Sequence, residues 1–270
     1  MELSFVTVDN VCAAAISTDE EELSIDLSRV TFFRPFALVY LGMFLRYHRS
    51  CGRNCCVVPP NNSFARGYLA RQQFWERFNF ITDVIEMENL RRFTTSTSLN
   101  DIVDIEKCDY IAEDIADGVK RVLRTNHVRV NSAEIAGLVC ELVDNFSRHS
   151  ERELAAFHMQ YYPNRRQVAL AFGDCGIGIR ESLASNPTYA HLAHYPHSEA
   201  ALKAFEPLVS RASEGGTGLT EVKDGVMSLN GNMVFSTGNG YVRINNAEIQ
   251  YGEMTYDLPG VQIGLSFPEE

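Results

Sequence analysis

Between Asn131 and Ser150 the chain carries two helical registers at once, and few folds can satisfy both. Ile135, Leu138, Val139, Leu142 and Phe146 recur at i, i+3, i+4, i+7 and i+11, a stripe that other parts of the protein must cover. Glu141, Asn145 and His149 recur at i, i+4 and i+8, so they line up on another side, with Arg148 beside them. Asn131 followed three residues later by Glu134 resembles a capping box and marks the helix start. Taken alone, the polar line reads most simply as a solvated helix face.

Two glycine-rich stretches further along the chain argue for a site instead. "GDCGIGI" (173–179) places Asp174 at the end of a strand and Gly176 and Gly178 in a turn, and "EGGTGLT" (214–220) sets Gly215, Gly216 and Gly218 at a helix start. Glycines let backbone N–H groups approach an anion closely, and a helix N-terminus favours negative charge, so together the two stretches could hold phosphates. Neither is one of the common phosphate loops. "GIGIRES" lacks the last glycine of a dinucleotide fingerprint, and "GGTGLT" has no Lys-Ser/Thr for a Walker loop.

Composition excludes some functions. A formal charge of −11 and a pI near 5.1 argue against gripping a nucleic-acid backbone or an anionic membrane. With 45% hydrophobic and 22% charged residues, the 270-residue chain has globular proportions. "MELSFVTVDN" lacks the features of a signal peptide, and no run of about eighteen apolar residues occurs, so the expected location is cytoplasmic. Seven scattered cysteines are the pattern of reduced thiols.

Along the chain, residues 1 to about 90 alternate strand and helix. "LSFVTV" and "CAAAIS" flank Asp9 and Asn10 as in a hairpin, "LSIDL" suits a buried strand, and a helix is predicted from Pro35 to Gly52. "CCVVPP" reads as a buried strand, and "SFARGYLARQQFWERF" as a helix carrying Phe64, Tyr68, Leu69 and Trp75. This alternation predicts an α/β domain with parallel neighbours. "TTSTSLND" (94–101) reads as a linker. Beyond it, helices are expected over 108–126 and 131–150, strands over 154–162 and 165–174, a helix over 217–229 and strands near 232–237, 241–246 and 261–267. Residues 245–260 read as an insertion before the last strand.

The ordered set "ELVDNFSRHS", "DCGIGI" and "EGGTGLT", over roughly 108–270, resembles the N box and glycine boxes of the GHKL ATPases (gyrase, heat-shock chaperone, histidine kinase, MutL), whose nucleotide site is the Bergerat fold. "LSIDLSRVTFFRPFALVYLGMFLRYHRSCGRNCCVVP" resembles a STAS domain, the fold of anti-anti-sigma proteins. The resemblance implies an α/β chain with a STAS-like domain at 1–93, a linker at 94–107 and a histidine kinase-like ATPase domain, the Bergerat-fold α/β sandwich, at 108–270. It implies ATP and Mg²⁺ as ligands. Asn145 would hold Mg²⁺, with Glu141 as a further contact through water, and Asp174 would accept the adenine amino proton. Gly176 and Gly178 would shape the base pocket and the start of a mobile lid, Gly216 and Gly218 would let the lid and helix end close on the phosphates, and Gly215, Thr217 and Leu219 would join them in binding the nucleotide. Arg148 would touch a phosphate, and His149 would belong to the nucleotide-binding residues. Glu141 would activate the attacking water as general base.

The function expected from this is a slow Mg-dependent ATPase serving as a nucleotide-controlled switch. The other two readings are a protein-serine kinase of the anti-sigma type and a non-catalytic ATP-binding scaffold. The partners implied are ATP, a protein whose identity the sequence leaves open, and a second copy of the chain in a homodimer. Where signalling STAS domains carry a phosphorylatable serine, this chain has Arg34, Pro35, Phe36 and Ala37, so the phosphoswitch is missing. Residues 180–214 supply no catalytic Lys or Arg motif.

Other clusters weigh less. His191, His194 and His197 have a spacing that invites zinc, but Pro196 interrupts the helix that would present them. His48, Cys51, Cys55 and Cys56 invite the same thought, and small buried hydrophobes are the simpler reading of the cysteines. Cys175 reads as a bystander thiol beside Asp174, and Phe74, Trp75, Phe78 and Phe80 as core or interdomain contacts.

Overall fold

In the computed structural model, residues 1–16, 22–78, 102–106, 111–151, 154–211, 218–245 and 248–270 are described. The chain is a mixed α/β protein with several sheets. Strand β1 (Glu2–Leu3) leads into helix α1 (Phe5–Ala15), where a hairpin is predicted. The helix wins because the Ser4 N–H donates to Thr7 Oγ1 at 2.8 Å, opening a turn, and because Val8, Cys12 and Ala15 all become buried at helical spacing. Asp9 forms no turn. Its carboxylate accepts the Thr255 and Tyr256 N–H groups at 2.7 and 2.9 Å.

Strands β2 (Glu22–Asp26) and β4 (Asn54–Val58) pair in parallel, and β3 (Phe32–Phe33) pairs in parallel with β1. Between β3 and β4 runs α2 (Pro35–Ser50), started by Pro35 and buried along nearly its whole length. The next predicted helix is two pieces, α3 (Ser63–Arg71) and α4 (Phe74–Arg77), because Gln73 adopts a left-handed φ of 52°. Phe74, Trp75 and Phe78 are core, whereas Phe64 is 81% exposed, and Phe80 lies outside the described residues. On β4, Cys55 is buried but Cys56 is exposed, since adjacent strand residues face opposite ways.

Residues 94–101 lie outside the described residues, and within the stretch read as linker Val103–Glu106 forms strand β5. Helices α5 (Ile111–Thr125) and α6 (Ser132–His149) come next, then β6 (Leu154–Tyr162) and β7 (Gln167–Asp174). Two short helices, α7 (Gly178–Ala184) and α8 (His197–Lys203), flank a 3-10 stretch over Pro187–His194. Helix α9 (Gly218–Ser228) then leads to β8 (Asn232–Asn245) and β9 (Glu248–Pro268). Two predicted strands are thus one, β8, kinked at register shifts around Gly238 and Gly240. The expected insertion at 245–260 is the returning arm of the same ribbon, with Asn245 opposite Glu248 and Gly252 opposite Tyr241.

The central sheet is antiparallel in the order β5-β6-β7-β9-β8. Its period-two alternation separates two cores. Phe157, Met159, Leu170 and Phe172 face α5, α6 and α9, where the Ile135 to Phe146 stripe is buried as its spacing requires. Ala156 and Ala171 face the other way, towards a core built from α1 to α4. Among the described residues, no helix is long and apolar enough to cross a membrane.

Candidate functional site

Helix α6 is fixed by its cap, with Asn131 Oδ1 accepting the Glu134 N–H at 3.2 Å and Asn131 Nδ2 donating to Glu134 Oε2 at 3.0 Å. Its apolar stripe sits on the sheet, with the Phe146 ring edge-on to Phe172 at 5.9 Å between centroids. The polar line is thereby turned over the end of β7, and a cavity of about 350 Å³ opens between them. Phe172, Ile263 and Phe235, in register across β7, β9 and β8, line its sheet side, and Leu183, Val209 and Leu219 line another part. An apolar slot with a few converging polar groups is the ordinary form of a small-molecule site.

Glu141, Asn145, Arg148, His149, Asp174, Gly178, Gly218 and Leu219 all line this one cavity. Asn145 Nδ2 donates to Glu141 Oε1 at 3.3 Å. Gly218 lies directly against that pair, and a Cβ there would collide with Glu141 Oε1 and reach within 2.8 Å of Asn145 Nδ2. A bare backbone is what lets α9 begin this close to both side chains. Gly176 does not line the cavity. It packs on the Ser150 carbonyl and donates its N–H to Asp174 Oδ1 at 2.6 Å, so it orders the loop after β7. Gly215, Gly216 and Thr217 lie outside the described residues.

Burial, then the charges of Glu221 and Asp144, push the Glu141 carboxyl above its ordinary value, with Arg148 and the Asn145 hydrogen bond opposing. Burial, then the charges of Arg211 and Arg148, pull the His149 imidazole down, and His149 Nδ1 is buried with no hydrogen-bond partner. Arg148 is 70% exposed and 3.8 Å from Asp144. Asp174 is 3% exposed at the end of β7.

Several contributors have no signal in the sequence. Arg211 lines the cavity and pairs with Glu151 at 2.9 Å, a cation within the stretch where no Lys or Arg could be assigned. Thr237 Oγ1 accepts the Ile179 N–H at 3.0 Å and so anchors the start of α7. Gln262, wholly buried, donates to the Asp174 carbonyl at 3.0 Å and accepts from Ser236 Oγ at 3.0 Å. Gly260, at φ 90°, allows β9 to pass against the Asp174 carbonyl, where a Cβ would collide. Thr237, Gly260 and Gln262 lie some sixty to ninety positions downstream of Asp174 with no periodic pattern, so only strand pairing brings them to it.

The oxygens of Glu141 and Asn145 are hard donors of the type Mg²⁺ prefers, so these two residues could hold such an ion. No group of three His, Cys, Asp or Glu side chains that could cage a metal occurs among the described residues. His191 and His194 lie on the 3-10 stretch, with the His191 ring edge-on to Tyr195. His197, the first residue of α8, is buried against Gly238 with Nε2 3.7 Å from Asp257. His48 is engaged by Tyr256 at 2.7 Å and by Arg53 at 3.3 Å, and burial lowers its pKa to about 4. Cys175 Sγ donates to the Met43 carbonyl at 3.3 Å. No family model and no curated protein matches the chain.

Proposed function

We propose that the cavity is a Mg-dependent ATP site of the Bergerat type and that the protein hydrolyses ATP slowly as a nucleotide-controlled switch. The observation that carries this reading is the packing of Gly218 on the Glu141–Asn145 pair in the same cavity that Asp174 closes at the end of β7. An apolar slot ending in a buried carboxylate suits a base with an exocyclic amine, which can donate to Asp174. Opposite it, Asn145 offers an amide oxygen to the cation, and Arg148 and His149 offer donors to phosphate oxygens.

Glu141 takes a proton from the attacking water. Burial, Glu221 and Asp144 raise its pKa, which makes it a stronger base than a solvated carboxylate. Magnesium, when bound with the nucleotide, neutralises charge on the phosphates. Gly178 and Thr237 hold α7 against the cavity, and Leu219 with Leu183 keeps its wall apolar and poor in water. The N-terminal STAS-like module, which supplies α2 to the rear of β7, is the natural reader of the nucleotide state. The parallel β2–β4 pair flanking α2 supports that module reading.

Release of ADP and phosphate by wild type, Glu141→Ala and Asn145→Ala proteins, with parallel nucleotide titrations, tests the proposal. Wild type should turn over, Glu141→Ala should bind ATP yet lose about a hundredfold or more in rate, and Asn145→Ala should lose Mg-dependent binding. A rate unchanged in Glu141→Ala would sink the hydrolytic role. Phosphate appearing on a protein partner would favour a serine kinase, and tight binding without turnover would favour a scaffold.

A further inference from the structure

A second cleft, of about 690 Å³, shares no lining residue with the first. Among the described residues its walls carry Arg46 from α2, Arg49 next to it, Glu76 and Arg77 from α4, Asp104 from β5, and Leu154 at the start of β6. Three guanidiniums thus meet two carboxylates, a local excess of positive charge in a chain of formal charge −11. The Arg46 guanidinium lies 5.0 Å from the centre of the Phe78 ring, and its Nη2 donates to Asp104 Oδ1 at 2.6 Å and to the Arg77 carbonyl at 3.4 Å. Stacking and two acceptors fix its plane, yet Nη1 is buried with no hydrogen-bond partner. Arg77 Nη1 stands 3.6 Å from Asp104 Oδ2, beyond hydrogen-bond reach. One carboxylate is therefore shared between two guanidiniums and leaves donors of both unsatisfied. Leu154, 39% exposed, supplies an apolar wall beside them.

We propose that this cleft binds a small phosphomonoester, with its phosphate oxygens on Arg46 and Arg77 and its organic body along Leu154. The proposal is independent of the nucleotide reading of the first cavity. A phosphate suits the cleft better than a carboxylate does. Asp104 already provides two oxygens and one charge, so an entering anion must bring enough charge to oppose Asp104 and enough acceptors for two guanidiniums. A phosphomonoester carries close to two charges and three free acceptor oxygens, whereas a second carboxylate would only repeat Asp104. Because α2 and α4 stand on one side of the cleft and β5 and β6 on the other, the bound anion ties the N-terminal helices to the edge of the central sheet.

Calorimetric titration of the full chain with phenyl phosphate, inorganic phosphate and benzoate, at matched ionic strength, tests this in wild type, Arg46→Gln, Arg77→Gln and Asn145→Ala proteins. Wild type should bind phenyl phosphate about tenfold more tightly than benzoate and about threefold more tightly than inorganic phosphate, which lacks the apolar body. Arg46→Gln and Arg77→Gln should each weaken phenyl phosphate about tenfold. Arg77→Gln leaves the stacking of Arg46 on Phe78 in place, so it reports on binding even where Arg46→Gln fails to fold. Asn145→Ala, altered only in the first cavity, should bind phenyl phosphate as wild type does. Absence of binding to wild type, an affinity unchanged in Arg77→Gln, or a loss in Asn145→Ala that assigns the ligand to the first cavity overturns the proposal. Benzoate or inorganic phosphate binding as tightly as phenyl phosphate overturns it as well.

Discussion

The two faces of β7 are built on opposite principles. On one face Phe172 and Asp174 look into the cavity, where a few polar atoms interrupt an apolar wall. On the other, Ala171 and Gly173 receive α2, and there shape is everything. A Cβ on Gly173 would sit 2.7 Å from Val39 Cγ1 and 3.1 Å from Met43 Cγ, and Phe36 occupies the corresponding space over Gly264 on β9. The rear face thus converts missing side chains into close helix–sheet packing, while the front converts missing side chains, as at Gly218, into access for backbone. One strand thereby packs a helix on one side and lines a cavity on the other, a division that alternate residues can maintain because their side chains never meet.

Substitutions on either face can break this division of labour. The largest effect belongs to the rear. Gly173→Val forces α2 away from β7 and should cost about 3 kcal/mol, lowering the melting temperature by roughly 6 °C in a thermal scan. Affinity of the folded fraction for the proposed nucleotide should barely move. A parallel loss of affinity would show that the two faces are coupled through the backbone of β7.

A smaller effect, of about 2 kcal/mol or roughly thirtyfold in nucleotide affinity by titration, is expected of Asp174→Ala on the front face. Some stability is lost as well, because the Gly176 N–H loses its acceptor. A melting temperature falling as far as in Gly173→Val would mean that Asp174 is chiefly structural.

The smallest effect sharpens the electrostatics of the front face. Because burial, Glu221 and Asp144 raise the Glu141 pKa in the folded state, its contribution to stability is fully present below the unfolded carboxylate value. It is lost as pH rises through the folded value. Wild type should therefore lose melting temperature, relative to Glu141→Gln, as pH climbs from about 4.3 towards neutrality. Turnover should rise over the same limb, as Glu141 ionises. A constant difference between the two melting curves across that range would show that Glu141 is no more desolvated than in the unfolded chain.

Legibility in the sequence followed the range of the interactions. Helix α6 could be read almost to the residue, because its cap and both its registers are local. The strands β6 and β7 and the start of α9 were legible for the same reason. The ribbon of β8 and β9 was not. Its turn chemistry is weak, and the alternation of 248–258 becomes visible only once β8 supplies its partner. Helix α1 is hidden in the sequence because Asp9 and Asn10 look like turn residues, yet the Asp9 carboxylate is consumed by two backbone N–H groups of β9 almost 250 positions away.

By itself the sequence determined which side chains could do chemistry. Glu141, Asn145 and His149 share a helix face by spacing alone, and Asp174 ends a strand by pattern alone. Only the tertiary structure decided that these line one cavity, that Gly218 touches two of them, that Arg211 joins them there, and that Thr237 and Gln262 brace its wall. Helical and strand periodicities are fixed by bonds between near neighbours. The meeting of residues 141, 174, 211 and 262 depends instead on the order in which β6, β7, β9 and β8 pair, a choice made by burial of both faces of the sheet at once.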